Sequence, residues 1–182
     1  MFTTKRFILR IYNINDAKAL CDVLNTDSIY QTTYGIPRHC DIRYARNWIK
    51  NVVSNVLNNR CYEYAIIRKT DNCYMGNVGL INVDQNNKKC DISYFINPAF
   101  QNQGIATEVS ATLIRYAFEE LDMNRVGGLC MAHNLASARV MEKLFMKYEG
   151  LQRNCMIKDG RVVSLKMYSI LKEEYFEYIS KT

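Results

Sequence analysis

Along this 182-residue chain, bulky side chains alternate with others at Ile92, Tyr94 and Ile96, and the alternation stops at Asn97-Pro98. A period of two marks a strand. Proline cannot donate to a ladder and restricts the residue before it, so the strand ends there. Shortly afterwards the period lengthens. Val109, Leu113, Ala117 and Leu121 recur at helical spacing, while Glu108, Arg115, Glu119 and Glu120 fall largely off that stripe. The pattern predicts a strand over Lys89–Ile96 and a helix from about Thr107 to Leu121. Between them runs Gln101-Asn-Gln-Gly-Ile-Ala106. A glycine there permits a tight turn and leaves the N–H groups of the helix start pointing outward. Such a nest binds anions, phosphates above all, although an ordinary turn has the same sequence signature.

The same patterns place the other elements. Arg6 to Ile11 reads as a strand, followed by a helix capped at Asn15 or Asp16 with Ala17, Leu20, Cys21, Val23 and Leu24 on its apolar side. Asn25 to Arg43 is polar, tyrosine-bearing and turn-rich, a long loop with a short helical piece, either a binding segment or flexible decoration. Tyr44 to Asn58 is helical. Tyr62–Arg68, Tyr74–Val83 (broken at Gly76 and Gly79) and Lys89–Ile96 form an antiparallel meander across short polar turns. The helix then crosses to a strand at Arg125–Met131, parallel to the one before it. A helix over Leu135–Phe145 and a hairpin of Tyr148–Ile157 with Arg161–Leu171 follow. The sum is an α+β domain spanning 4–175, with a mixed, mostly antiparallel sheet of about seven strands, and a short tail at 176–182.

Composition narrows the class. Hydrophobic content of 48% and charged content of 23% are those of a soluble globular protein. The N-terminal residues lack the apolar run of a signal peptide, since Arg10 follows only three apolar residues, and no stretch nears the roughly 20 apolar residues that cross a bilayer. A cytoplasmic location without membrane contact is the expectation. Net charge of +6 is spread along the chain, giving a basic surface with no direct nucleic-acid binding expected. Seven cysteines form no CxxC pair, and His39 and His133 stand far apart, so neither a zinc site nor a disulfide framework fits and no metal is expected. Cys130 near His133 suggests a nucleophile pair, but burial in an apolar strand would raise the thiol pKa and make it inert.

Taken in order, Thr4-Lys-Arg-Phe-Ile-Leu-Arg10, Asn15-Asp16-Ala17, Ile92-Ser-Tyr-Phe-Ile-Asn-Pro98 and Gln101-x-x-Gly104-x-Ala106-Thr-Glu108 carry a resemblance, and the later segments continue it. These are Ala117-Phe118, Leu121-x-x-Asn124-Arg125-Val126, His133-Asn-x-Ala-Ser-Ala-Arg-Val-Met-Glu-Lys143 and Tyr148-Glu-Gly150. The chain resembles the GNAT superfamily of N-acetyltransferases, and within it the ribosomal-protein N-terminal acetyltransferase (RimJ/RimL-like) branch. The likeness covers nearly the whole sequence.

The resemblance implies central strands splayed to admit acetyl-CoA as co-substrate, and direct attack of an acceptor amine on the thioester. Gln101, Gln103, Gly104, Ile105, Ala106 and Thr107 would hold the pyrophosphate. Phe95 and Ile96 would offer main-chain partners to the pantetheine, and the Phe95 N–H would hold the oxyanion. Asn134 and Ser137 would stand on the cofactor side, Ser137 also as a candidate in proton transfer. Asp91 is the candidate base, or an exposed carboxylate balancing Lys88 and Lys89. Tyr94 reads as packing.

Three positions depart from the family pattern. Met141 stands where other branches carry a tyrosine acid. Phe145 stands where a glycine usually ends the helix. Ser164 stands where the branch often has an aspartate. The acceptor is expected to be a protein N-terminal amine. Alternatives are a small amine (a polyamine, amino-acid derivative or aminoglycoside) and a non-catalytic acetyl-CoA-binding module. Monomer and homodimer are both open.

Overall fold

The computed structural model describes residues 1–181. In chain order the strands and helices are β1 (Phe2–Thr3), β2 (Phe7–Arg10), α1 (Ala17–Leu24), α2 (Asp27–Thr32), α3 (Ile42–Leu57), β3 (Tyr62–Arg68), β4 (Tyr74–Asp84) and β5 (Lys89–Ile96). Then come α4 (Ile105–Glu119), β6 (Arg125–Met131), α5 (Leu135–Lys143), β7 (Lys147–Lys158), β8 (Arg161–Leu171) and α6 (Lys172–Ile179). The strands form one sheet of eight in the order β1-β2-β3-β4-β5-β6-β8-β7. It is antiparallel except where β5 meets β6. The strand beyond the seven expected is β1, two residues paired to Leu9 and Ile8 of β2 and too short to show a period.

Side-chain alternation along the strands sorts the core into two layers. Tyr62, Tyr64 and Ile66 of β3, Val78 and Leu80 of β4 and Cys90, Ile92 and Ile96 of β5 pack with Val109, Leu113 and Ala117 of α4. On the other face Ala65 and Ile67 join Leu20 of α1 and Ile49 and Val52 of α3. The sheet is therefore covered on both sides, which is why its central strands read as nearly continuous apolar runs.

Local chemistry sets the helix ends. The cap of the first helical segment is Asn13, ahead of the expected Asn15 or Asp16: its Oδ1 accepts the Asn15 N–H at 2.9 Å, and Asp16 Oδ2 accepts the Asn13 N–H at 2.7 Å. Asp16 also grips the Arg10 guanidinium with both oxygens at 2.7 Å, tying that turn to β2. At the end of α5, Phe145 adopts φ +60°. Its N–H reaches Glu142 O at 3.0 Å and the Met146 N–H reaches Met141 O at 3.0 Å, the double closure a glycine normally makes. The left-handed conformation costs about 1–2 kcal/mol for a residue with a Cβ. Stacking of the Phe145 ring on Tyr178, with centroids 4.1 Å apart, opposes that cost. Tyr178 belongs to α6, so residues expected as a tail are helical through Ile179 and dock by Tyr175 Oη donating to Glu119 of α4 at 2.9 Å.

Two features of the sheet prepare the site. Gly76 has φ +142°, and a Cβ there would lie 2.1 Å from the Phe95 carbonyl oxygen, so only glycine lets β4 approach β5 at this point. And β5 pairs with β6 at three register positions only, ending at Asp91↔Gly127, although both strands continue. Beyond that point they part.

Gly76→Ala is expected to cost about 2 kcal/mol or more, from the strained φ and the backbone clash together. A melting temperature lower by roughly 4–8 °C follows for a domain of this size. A scan that finds no change would show that β4 and β5 separate there without penalty.

Candidate active site

At the mouth of the parted strands, β5 is closed by Asn97, whose Oδ1 accepts the Ala99 N–H at 3.1 Å, and by Gln101, whose Nε2 donates to the Ile96 carbonyl at 3.1 Å. Gly104 then turns the chain with φ +71° into α4. The first helical bond runs from the Glu108 N–H to Gly104 O at 3.1 Å, leaving the N–H groups of Ile105, Ala106 and Thr107 without helical carbonyls. Where a Cβ on Gly104 would sit, the one atom within 4 Å is Arg6 Nη2 at 3.8 Å. The turn is thus an open cradle of donors beside a guanidinium. Arg6 is held there by Glu108, which accepts its Nε at 2.7 Å and its backbone N–H at 3.1 Å. Burial pushes the Glu108 carboxyl up, but hydrogen bonds from Thr4 and Arg6 outweigh it and hold the group below its usual range. Arg6 was not legible as a site residue, because it lies far from Gly104 in sequence and joins it only through β2.

The parting of β5 from β6 leaves one edge of β5 unpaired. Strand geometry decides which residues offer it main-chain groups, since backbone direction alternates. The Lys88 carbonyl accepts from Asn124 and Arg125 on the β6 side, and the Ile96 carbonyl also lies away from β4. The Phe95 carbonyl is turned toward Gly76 of β4 instead. Hence the main-chain groups of Tyr94 and Ile96 face the gap, whereas those of Phe95, expected to donate to the oxyanion, turn toward β4. The Phe95 side chain packs toward the α1–α3 layer.

On the far wall Asn134 caps α5. Its Oδ1 accepts the Ser137 N–H at 3.0 Å, and its Nδ2 donates to Thr32 O at 3.2 Å, joining α5 to α2. Ser137 Oγ lies 2.9 Å from the Tyr94 hydroxyl, which also donates to the Ser137 carbonyl at 3.2 Å. Tyr94 therefore bridges the gap rather than only packing. Burial, partly opposed by the Ser137 hydrogen bond, raises its pKa and keeps the phenol protonated. Met141 is buried, its methyl lying 3.1 Å from where a Gly128 Cβ would be. It fills the space under β6. Cys130 is buried too, and burial raises its thiol pKa, so the nucleophile reading of Cys130 with His133 does not hold. The His133 ring nitrogen Nε2 instead lies 3.1 Å from the Gln31 carbonyl.

The opposite face of the sheet carries the polar groups. Asp91 Oδ2 accepts Asn82 Nδ2 at 2.9 Å, and Oδ1 occupies the space over Gly127, where a Cβ would be 2.4 Å away. Of the two neighbouring lysines, Lys88 pairs with Asp122 rather than with Asp91. Asp91, Asn77, Glu63, Tyr34, Trp48, Phe95, Asn134 and Ser137 line a single cavity of about 570 Å³ that runs to Gly104–Thr107. Its roof is the loop after α2, pinned by the hairpin tip. Lys158 Nζ donates to Thr33 O at 2.7 Å and sits 3.8 Å from the centre of the Tyr30 ring, while Tyr30 Oη donates to Asp159. Among the described residues no three His, Cys, Asp or Glu side chains converge as a metal site, and no helix is long and apolar enough to cross a membrane.

The comparisons with known proteins agree with this geometry. The acetyltransferase (GNAT) domain family matches residues 6–147. N-acetyltransferase p20 of Bacillus licheniformis, itself uncharacterized, is 30% identical over 173 residues, covering 94% of this chain and 96% of that protein. YdaF of Bacillus subtilis, whose name proposes a ribosomal N-acetyltransferase, is 38% identical over 105 residues, covering 58% of this chain and 57% of that protein. Among solved structures, RimL, the ribosomal L7/L12 alpha-N-protein acetyltransferase in complex with coenzyme A, superposes with a TM-score of 0.86. It is 19% identical, with 94% of this chain and 97% of that one covered, and shares the fold. With the nest, the parted strands and these similarities together, the chain belongs to the GNAT family and is an N-acetyltransferase.

Proposed function

We propose that this chain moves an acetyl group from acetyl-CoA to a primary amine in one direct step, with a protein N-terminal amine as the acceptor. The observation that carries the reading is the unpaired edge of β5. It leads from the open cradle of donors at Gly104 to a cavity lined in part by the carboxylates of Glu63 and Asp91. The N–H groups of Gly104, Ile105, Ala106 and Thr107, with Gln103 at the turn, receive the pyrophosphate, and Arg6 adds a cation beside them. Tyr94 and Ile96 hydrogen-bond the pantetheine arm as a neighbouring strand would. Bound acetyl-CoA supplies an activated thioester, so the protein needs no acyl-enzyme.

The remaining work falls to named groups. The Tyr94 N–H, the gap-facing donor nearer Asp91, polarises the carbonyl that is attacked. Asp91, at the point where the strands part, takes the proton of the incoming ammonium directly or through a water. Ser137, backed by the Tyr94 hydroxyl, stands on the wall where the thiol leaves, a position Met141 cannot serve. Resemblance to YdaF supports the N-terminal acceptor, as does a roof of loop and hairpin long enough to contact a peptide.

Saturating acetyl-CoA at about 100 Kd should stabilise the protein by about 2.7 kcal/mol, a shift of roughly 5–10 °C. Gly104→Glu should abolish that shift by filling the cradle and setting a charge against the phosphates. A variant that still binds normally would move the phosphate site elsewhere. Asp91→Asn should leave the shift intact and lower turnover mainly at low pH, where less of the amine is already neutral. Equal turnover across the pH range would remove Asp91 from the proton path. Thiol release against peptides with free N-termini and against small amines tests the acceptor. Turnover with small amines alone would replace the protein N-terminus.

A further inference from the structure

Glu63 on β3 has no part in the chemistry above, yet its surroundings are arranged around it. It pairs across β3 and β4 with Gly79. A Cβ on Gly79 would lie 2.3 Å from Glu63 Cγ, so the absent side chain is the lane along which Glu63 lies over β4 toward β5. Its Oε1 accepts Asn77 Nδ2 at 3.2 Å. Asn77 is fixed in turn, because its Oδ1 accepts from Tyr12 Oη at 2.9 Å and Tyr12 Oη lies 3.0 Å from Tyr74 Oη. A buried chain of hydroxyl and amide therefore aims one donor at one carboxylate oxygen. The second oxygen has no hydrogen-bond partner among the described residues, and the residue lines the cavity.

The groups around this carboxylate do not neutralise it. Tyr12 and Tyr74 from the strand side and Cys61 from the start of β3 are neutral, and α3 contributes Trp48 and Tyr44 to the same cavity. Arg10, behind the tyrosines, is committed to Asp16. Among the described residues Glu63 has no salt-bridge partner. Burial pushes its carboxyl up from its ordinary value, opposed by the Asn77 hydrogen bond. A half-buried carboxylate without a cation is costly, and proteins keep one where a ligand supplies the charge.

Position separates Glu63 from Asp91. Asp91 lies over Gly127, at the gap itself, while Glu63 lies over β4, one strand spacing of about 4.8 Å beyond β5. A cation at Glu63 therefore stands roughly 7–10 Å from a nitrogen reacting at the gap. We infer that Glu63 is the specificity residue of the acceptor site and receives a second positive charge on the acceptor, distinct from the amine that is acetylated. The inference rests on the transferase reading. The acceptor class it names is a primary amine carrying another cation several bonds away, whether in an aliphatic diamine or in a peptide with a basic residue next to its N-terminus. In the reaction the acceptor nitrogen forms a C–N bond and the C–S bond breaks. The ammonium gives up two protons, one passing to solvent through the base at the gap and one ending on the thiol, while the cation at Glu63 keeps its charge throughout.

The test uses matched pairs in a thiol-release assay with acetyl-CoA: 1,5-diaminopentane against 1-aminopentane, and alanyl-lysine amide against alanyl-norleucine amide. The wild type should prefer the dicationic member of at least one pair by roughly tenfold or more in kcat/KM, the scale of a hydrogen bond to a charged group. Glu63→Gln, which keeps the shape and the Asn77 contact, should bring that ratio to within about twofold while leaving the acetyl-CoA thermal shift intact. Its melting temperature at pH 7 should equal or exceed that of the wild type, because an uncompensated carboxylate is removed; a purely structural Glu63 would lower it. Asp91→Asn should instead slow both members alike. Equal turnover of both members of each pair by the wild type, or a preference that survives Glu63→Gln, overturns this inference alone. A wild type silent toward every amine overturns the transferase reading and this inference with it.

Discussion

The structure depends on a failure of strand pairing. β5 and β6 begin as neighbours and separate after Asp91↔Gly127, although each continues for several residues. Unpaired main-chain groups are costly when buried, so such a gap persists only if other interactions hold both strands in place. β5 is held by β4 along its length, with Gly76 permitting the close approach at its end. β6 is held by β8 from Arg125 to Met131. Met141 and Met146 fill the space beneath Gly128, and Tyr94 reaches across to Ser137 as a strut. With both strands committed elsewhere, the open edge is available to an extended ligand. The same geometry delivers the N-terminus of α4 to the mouth of the gap, because Pro98 stops β5 and Gly104 turns the chain back within a few residues.

Four glycines in the sheet act by what they leave empty. Gly79 and Gly127 make room for the carboxylates of Glu63 and Asp91, Gly128 for two methionine methyls, and Gly76 for a neighbouring backbone. The result is a sheet with unlike faces. Under α4 it is mostly apolar, and the hydrophobic burial there supplies the stability. Under α1–α3 it keeps two carboxylates that reach the cavity, backed by a buried chain of phenol and amide. Groups of that kind weaken a fold unless they are used, and here both carboxylates face the cavity.

Distance in sequence separates what was readable from what was not. Gln101 to Thr107 reads as an anion nest because strand end, glycine and helix start are contiguous, and the geometry follows from local rules alone. The meander, the crossover and the hairpin are legible for the same reason. Phe145 was legible as strained but not as accommodated, since its relief comes from Tyr178 in α6. Asn13 does not stand out as the cap, because Asn15 and Asp16 satisfy the same preference. In sequence Phe95 and Ile96 are equally placed for the cofactor, and only the directions of their carbonyls distinguish them.

By itself the sequence determined the order of elements, the nest and the apolar stripe of α4, because periodicity, proline and glycine act over a few residues. The tertiary structure decided which edge of β5 stays open and that Arg6 stands beside Gly104. It also decided that Glu63 crosses an absent side chain to reach the cavity. Each of these depends on strand register and on partners tens of residues away, and a one-residue change in register would turn every one of those side chains to the other face.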